Sequence, residues 1–205
     1  MKNKRLFNDS ETYHRLFVAL KIPNNVLQRI ESINQYIDDR FVKKVKSRSF
    51  HLTLHFCGET KIWQAKILHS ELINNLGRLS PLKLKLGVIG SFPKPSNAKI
   101  IWLGLNGNLP ELNYIQSQIS KSAIELGLGI NPTKFMPHIT LARIKNGHKL
   151  KQNEVLLKDI GIVEKSILGF PEFEIKSISI INSVHSKNGY QYSEIGSIYL
   201  ENQTC

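Results

Sequence analysis

Two short stretches carry residue types that could do chemistry: His51-Leu52-Thr53-Leu54 and His138-Ile139-Thr140-Leu141. Each reads His, apolar, Thr, Leu, and each lies in an apolar run that suits a strand. Side chains of a strand alternate between faces, so His51 and Thr53 share one side while Leu52 and Leu54 share the other. His138 and Thr140 stand against Ile139 and Leu141 in the same way. Two imidazoles and two hydroxyls around one cleft make an apparatus for phosphate ester chemistry. A neutral imidazole can take a proton from an attacking water or hydroxyl, and a protonated one can give a proton to a leaving oxygen. Imidazole titrates near neutrality, so both forms can coexist. Threonine hydroxyls can donate hydrogen bonds to the non-bridging oxygens, whose charge must be held in the transition state. This scheme needs no metal and no cofactor. A strained 2′,3′-cyclic phosphate suits it, because ring opening takes in-line attack and protonation of the leaving oxygen. One His-x-Thr is a weak signal; two with matched apolar neighbours are far stronger.

The elements that must position these stretches can be read in order. Arg15 to Ile22 alternates, with Leu16, Val18, Leu20 and Ile22 on one face of a strand. Asn24 is a helix cap, and Val26, Leu27, Ile30, Ile33 and Ile37 recur at helical spacing. Lys43 to Arg48 reads as a basic loop leading to the first motif strand, Phe50 to Phe56. Thr60 then caps a helix whose inner face is Ala65, Leu68, Leu72 and Leu76, ended by Gly77. Leu82, Leu84 and Leu86 alternate with lysines and pair with a strand over Lys99 to Leu105, across a loop from Phe92 to Asn97. Pro110 opens a helix carrying Leu112, Ile115, Ile119, Ala123 and Leu126. The second motif strand is Phe135 to Ile144, followed by a turn at Asn146-Gly147 and a weakly helical Leu150 to Ile160. Phe173 to Val184 and Tyr190 to Leu200 form a hairpin about Asn188-Gly189. The motifs are 87 residues apart (138 − 51), each preceded by a helix. That spacing points to an internal duplication and an α+β fold.

Composition narrows the partner. The chain has 205 residues, with 28 Lys and Arg against 16 Asp and Glu, a net charge of +12. That excess favours an anionic partner, nucleic acid or a phosphorylated small molecule. Cys57 and Cys205 form no Cys-x-x-Cys pair, so no disulfide framework or zinc site is expected, which fits a cytoplasmic protein. No apolar run reaches membrane-spanning length. Residues 1–14 read as a loose tail and 15–205 as one domain. A monomer is expected, because two lobes of one chain complete the cleft.

The sequence resembles the two-histidine phosphoesterases, and within them the RNA 2′,3′-cyclic phosphodiesterases, also called 2′-5′ RNA ligases. The resemblance rests on the double motif. It extends to Arg15-Leu16-Phe17-Val18-Ala19, Gly58-Glu59, Gly90-Ser91-Phe92-Pro93-Lys94-Pro95, Ile101-Trp102-Leu103-Gly104 and Phe135-Met136-Pro137. It implies a bilobal fold with pseudo-twofold symmetry, antiparallel sheets lining a central cleft and helices outside. It implies that His51 protonates the leaving 3′ oxygen, that His138 activates water, and that Thr53 and Thr140 hold the phosphate of an RNA end. The product would be a 2′-phosphate. The resemblance also places Arg143 near the ligand, although strict alternation from His138 turns it to the opposite face. His55 shares the face of His51 and Thr53 and reads as a strand residue at the cleft edge. Phe135 reads as core or as a base-stacking ring, and Trp63 and Trp102 as packing residues. Two rival readings use the same features: a 2′-5′ ligase or 2′-5′ phosphodiesterase at the same site, and a non-catalytic RNA-binding module.

Overall fold

The computed structural model describes residues 12–94, 97–130, 134–145, 160–186 and 189–201. The first motif lies on β3 (Leu52–Lys61), preceded by β1 (Tyr13–Leu20), α1 (Asn24–Asn34) and β2 (Val42–Lys44). α2 (Ile62–Leu76), β4 (Leu82–Phe92), β5 (Ile100–Gly107) and α3 (Leu109–Glu125) follow. The second motif opens β6 (His138–Ile144), and α4 (Ile160–Leu168), β7 (Phe173–Ile175), β8 (Ser177–Ser186) and β9 (Gly189–Tyr199) complete the order.

All the pairings are antiparallel and join the strands into a single sheet, in the order β7-β4-β5-β6-β3-β1-β8-β9. β2 runs beside β6 on the side of β3. Separate segregated helices and an antiparallel sheet make this an α+β fold. A pseudo-twofold relation runs through the middle of the sheet. β1-α1-β3 and β5-α3-β6 repeat one strand–helix–motif strand plan, and the two motif strands are neighbours. The two halves share one sheet.

The core forms on the face of the motif strands opposite the histidines. Leu52, Leu54, Ile139 and Leu141 lie in it with Leu68, Leu72 and Leu76 of α2 and Leu112, Ile115 and Ile119 of α3. Burying each such side chain contributes roughly 1.5–3 kcal/mol. The inner faces of α2 and α3 fell where the apolar spacing placed them, whereas α1 stops at Asn34, short of Ile37, and Leu126 lies just past the end of α3. Cys57 is buried, and burial pushes its thiol up to about 12, which leaves it a packing residue. Among the described residues no helix is long and apolar enough to cross a membrane.

Several boundaries differ from the sequence reading. β1 already includes Tyr13 and His14, the last residues of the expected tail. Its residues Leu16 to Leu20 are buried on both faces rather than one, because Phe17 packs against rings in the cleft. Asn24 is the first residue of α1, not its cap, and Pro23 precedes it. The basic loop contains β2, because its backbone completes the open side of β6. Thr60 is fully buried within β3, its hydroxyl donating to Gly58 O, and the Gln64 side chain instead accepts from the Lys61 N–H at the start of α2. The long strand expected from Phe173 is split into β7 and β8, which pair with different neighbours. The Asn146-Gly147 turn and nearly all of Leu150 to Ile160 lie outside the described residues.

Candidate active site

The two motifs meet at one backbone pair. Leu52 of β3 lies opposite Ile139 of β6, and both side chains are fully buried. Alternation turns the flanking residues to the other face. His51 and Thr53 from one strand, and His138 and Thr140 from the other, therefore share it, all four half-buried. The imidazoles are near enough for charge on His138 to act on His51.

Both rings are anchored in the same manner. Nδ1 of His51 donates to Ser49 O at 2.7 Å, and Nδ1 of His138 donates to Met136 O at 2.7 Å. A carbonyl can only accept, so Nδ1 carries hydrogen in both states and Nε2 is the atom left to exchange protons. Aromatic rings flank each imidazole. Phe17 lies 4.8 Å from His51 between centroids, and Tyr192 meets it edge-on at 5.3 Å. Phe92 meets His138 edge-on at 5.0 Å, with Trp102 at 6.2 Å. Burial is the largest influence on both imidazoles and holds their pKa values below the ordinary one. The carbonyl bonds pull upward; the Arg143 charge pushes both further down, as does His138 for His51.

Bulges decide what stands beside these groups. On β6, Thr140 pairs with Trp102 and Ala142 with Ile101, which leaves Leu141 as an extra residue. Ile139, Leu141 and Ala142 are all buried, so Arg143 returns to the face of His138 and Thr140. Its charge reaches His51, His138 and Tyr192. β3 carries the matching bulge: Thr53 pairs with Ala19 and His55 with Val18, leaving Leu54 as the extra residue. This corrects the reading of His55, which is turned off the cleft and is 3% exposed. Its Nε2 donates to Leu128 O at 2.9 Å, and its Nδ1 accepts from the Ser120 hydroxyl at 3.0 Å. Phe56 takes the cleft face instead, 67% exposed, with its ring 6.2 Å from Phe17.

Residues 7–200 match the AKAP7 2′5′ RNA ligase-like domain. The chain belongs to the LigT-like two-histidine phosphoesterases. It is 32% identical to an RNA 2′,3′-cyclic phosphodiesterase of Methanocaldococcus jannaschii over 88% of this chain and 98% of the relative. A protein of the same description from Aquifex aeolicus is 28% identical over 91% and 97%. Escherichia coli LigT in its apo form superposes with a TM-score of 0.72 at 21% identity, covering 94% of this chain and 100% of LigT. At that identity the likeness speaks for the fold.

In this LigT-like cleft, alternation put His51 with Thr53 and His138 with Thr140, but turned Arg143 away; the bulge of β6 brings Arg143 back to their face. Sequence reasoning missed the rings around them. Phe17 was visible as an aromatic opposite the leucine stripe of its strand, but Tyr192 comes from a strand far along the chain and had no local signal. Phe135 is half-buried and lines a pocket of about 220 Å³ beside His138, with Phe92, Trp102 and Met136. Trp102 packs as expected, against Phe92 at 5.1 Å, over Gly90, where a Cβ would run into its ring. Trp63 is 49% exposed and does not pack as expected.

Proposed function

We propose that this protein hydrolyses RNA 2′,3′-cyclic phosphate ends to 2′-phosphates, using His51 and His138 as an acid–base pair. The supporting observation is the Leu52–Ile139 pair, which brings both His-x-Thr faces to one surface. The phosphate sits above that pair. Thr53 and Thr140 hydroxyls donate to its non-bridging oxygens, and Arg143 neutralises charge there. Nε2 of His138 takes a proton from water as its oxygen bonds to phosphorus. The bond to O3′ breaks, and Nε2–H of His51 protonates that oxygen. Exchange with solvent resets both rings. This assignment of acid and base follows the family resemblance; the anchoring of the rings is alike. Phe56 presents an aromatic face on which the terminal base stacks.

The relatives named above as RNA 2′,3′-cyclic phosphodiesterases support the substrate class. The test is incubation with an oligonucleotide ending in a 2′,3′-cyclic phosphate, in excess chelator, with the end group followed by phosphorus NMR. A 2′-phosphate should accumulate, and His51→Ala or His138→Ala should each slow it by about 10²–10⁴-fold. An unopened ring, or turnover untouched by both substitutions, would overturn the proposal and leave the RNA-binding module as the better account.

The pocket beside His138 favours a second use of the same groups. A nucleoside seated among Phe92, Trp102 and Phe135 would place its 5′-hydroxyl where water attacks, and a 2′-5′ linkage would result. Adding acceptor RNA with a free 5′-hydroxyl should then yield a longer product; none at saturating acceptor would remove this reading.

A further inference from the structure

Arg143 has a cationic neighbour that the chemistry above does not use. Lys43 of β2 lies directly opposite Arg143 of β6, and side chains opposite one another in an antiparallel pair share a face. Val42 beside it is buried, so alternation sends Lys43 to the cleft side, where it is exposed. Lys44 turns the other way and is occupied, pairing with Asp39 at 2.7 Å and donating to Gln35 O. Lys43 makes no ion pair among the described residues.

The strand that carries Lys43 is firmly tied. Val45 N–H donates to Leu141 O at 2.8 Å, and Lys145 N–H donates to Phe41 O at 2.9 Å, extending the ladder beyond both ends of β2. On its other side Arg143 faces Ile100 of β5, so the positive charge continues toward β2 and not toward β5. Lys46 and Arg48, both exposed, lie on the segment that leads from β2 to His51. A cation about 5.5 Å away at the backbone, on a flexible four-carbon stem, suits a second phosphate better than the reacting one.

The chemistry of an RNA end says which phosphate that is. A 2′,3′-cyclic phosphate uses both hydroxyls of the last ribose, so the chain continues through its 5′ oxygen to the preceding phosphodiester. Resting on the function proposed above, we infer that Lys43 binds this preceding phosphodiester and makes the enzyme favour polynucleotide ends over cyclic mononucleotides. Lys43 is a specificity-determining residue, separate from the groups that act on the cyclic phosphate.

The test compares the intact protein with Lys43→Ala and Lys43→Arg on two substrates. One is a nucleoside 2′,3′-cyclic phosphate with a free 5′-hydroxyl; the other is a short oligonucleotide with the same terminal nucleoside. Lys43→Ala should lower kcat/KM on the oligonucleotide about tenfold, through KM, and leave the mononucleotide unchanged. Lys43→Arg should restore the oligonucleotide. The salt slope of log kcat/KM on the oligonucleotide should shrink by roughly 0.7 in Lys43→Ala. Equal losses on both substrates, or none on the oligonucleotide, would overturn the inference. A binding arm separates this failure from failure of the proposed activity. Fluorescence anisotropy with a 2′-phosphate-ended oligonucleotide, competed by a nucleoside 2′-phosphate, needs no turnover. Lys43→Ala should weaken the former about tenfold and spare the latter; the same affinity for the oligonucleotide in both proteins would count against Lys43.

Discussion

Each imidazole of the site donates its Nδ1 hydrogen to the carbonyl two residues before it. That bond fixes the tautomer and aims Nε2 into the cleft without a carboxylate partner. A carbonyl supports the imidazolium less than a carboxylate would, and burial among aromatic rings outweighs it, so both rings sit below 6.5. The ring that must be protonated loses its proton as pH rises through its lowered pKa. The ring that must be neutral gains one as pH falls through its own. The kcat/KM profile, which reports the free enzyme, should therefore be a bell with its maximum on the acid side of 6.5. A bound phosphate favours imidazolium, so the kcat profile should lie at higher pH than that of kcat/KM. Initial rates across a constant-ionic-strength buffer series decide this. A single sigmoid, or a kcat/KM maximum on the alkaline side of 6.5, would contradict the paired-imidazole mechanism.

At the scale of elements, two bulges determine which side chains reach the cleft. The bulge of β3 is seated on α3 and the loop after it. His55 bonds to Leu128 O and Ser120, Gln116 donates to Leu54 O and Ser120, and Gly129 packs against the Phe56 carbonyl. Two glycines of this loop separate backbone strain from that packing. Gly127 and Gly129 both have φ of +72, but a Cβ on Gly127 meets nothing within 4 Å, while one on Gly129 would run into Phe56 O. Gly127→Ala should cost only the left-handed conformation, about 1–2 kcal/mol. Gly129→Ala should cost clearly more and also lower activity, because the bulge that presents Phe56 must shift. Urea denaturation with parallel assays measures both; equal costs with full activity in each would mean the loop does not hold the bulge. These bulges also explain what the sequence concealed. The strand and helix periods of β3, β6, α2 and α3 were legible because Leu52, Ile139, Leu68 and Leu112 recur at the spacing each element demands. An inserted residue has no periodic mark, so alternation misplaced His55 and argued against Arg143. β2 escaped notice because a three-residue strand of one valine and two lysines reads as a loop, and Tyr192 because its partner His51 is 141 residues away (192 − 51).

Over the whole molecule, a symmetric pair of strands is flanked asymmetrically. The position after the bulged pair is aromatic Phe56 on one motif strand and cationic Arg143 on the other. The near-twofold pair of His-x-Thr faces thus acquires an apolar flank and a positive one, which on the proposed function would orient a substrate that has a base and a charged chain. The net charge of +12 acts over a longer range. On the proposed function it attracts the RNA polyanion to the protein, and the counterions released make that attraction sensitive to salt. Proton transfer between two half-buried imidazoles and a seated phosphate is shielded from bulk ions and should feel salt far less. Log kcat/KM on an oligonucleotide should therefore fall linearly with log salt concentration, by about 0.7 for each phosphate neutralised, while kcat at saturation stays nearly level. The cyclic mononucleotide, which brings one charge, should show a slope of about one such unit or less. If kcat fell in parallel with kcat/KM, or both substrates gave the same slope, the basic surface would not be guiding RNA, and its charge would need another explanation.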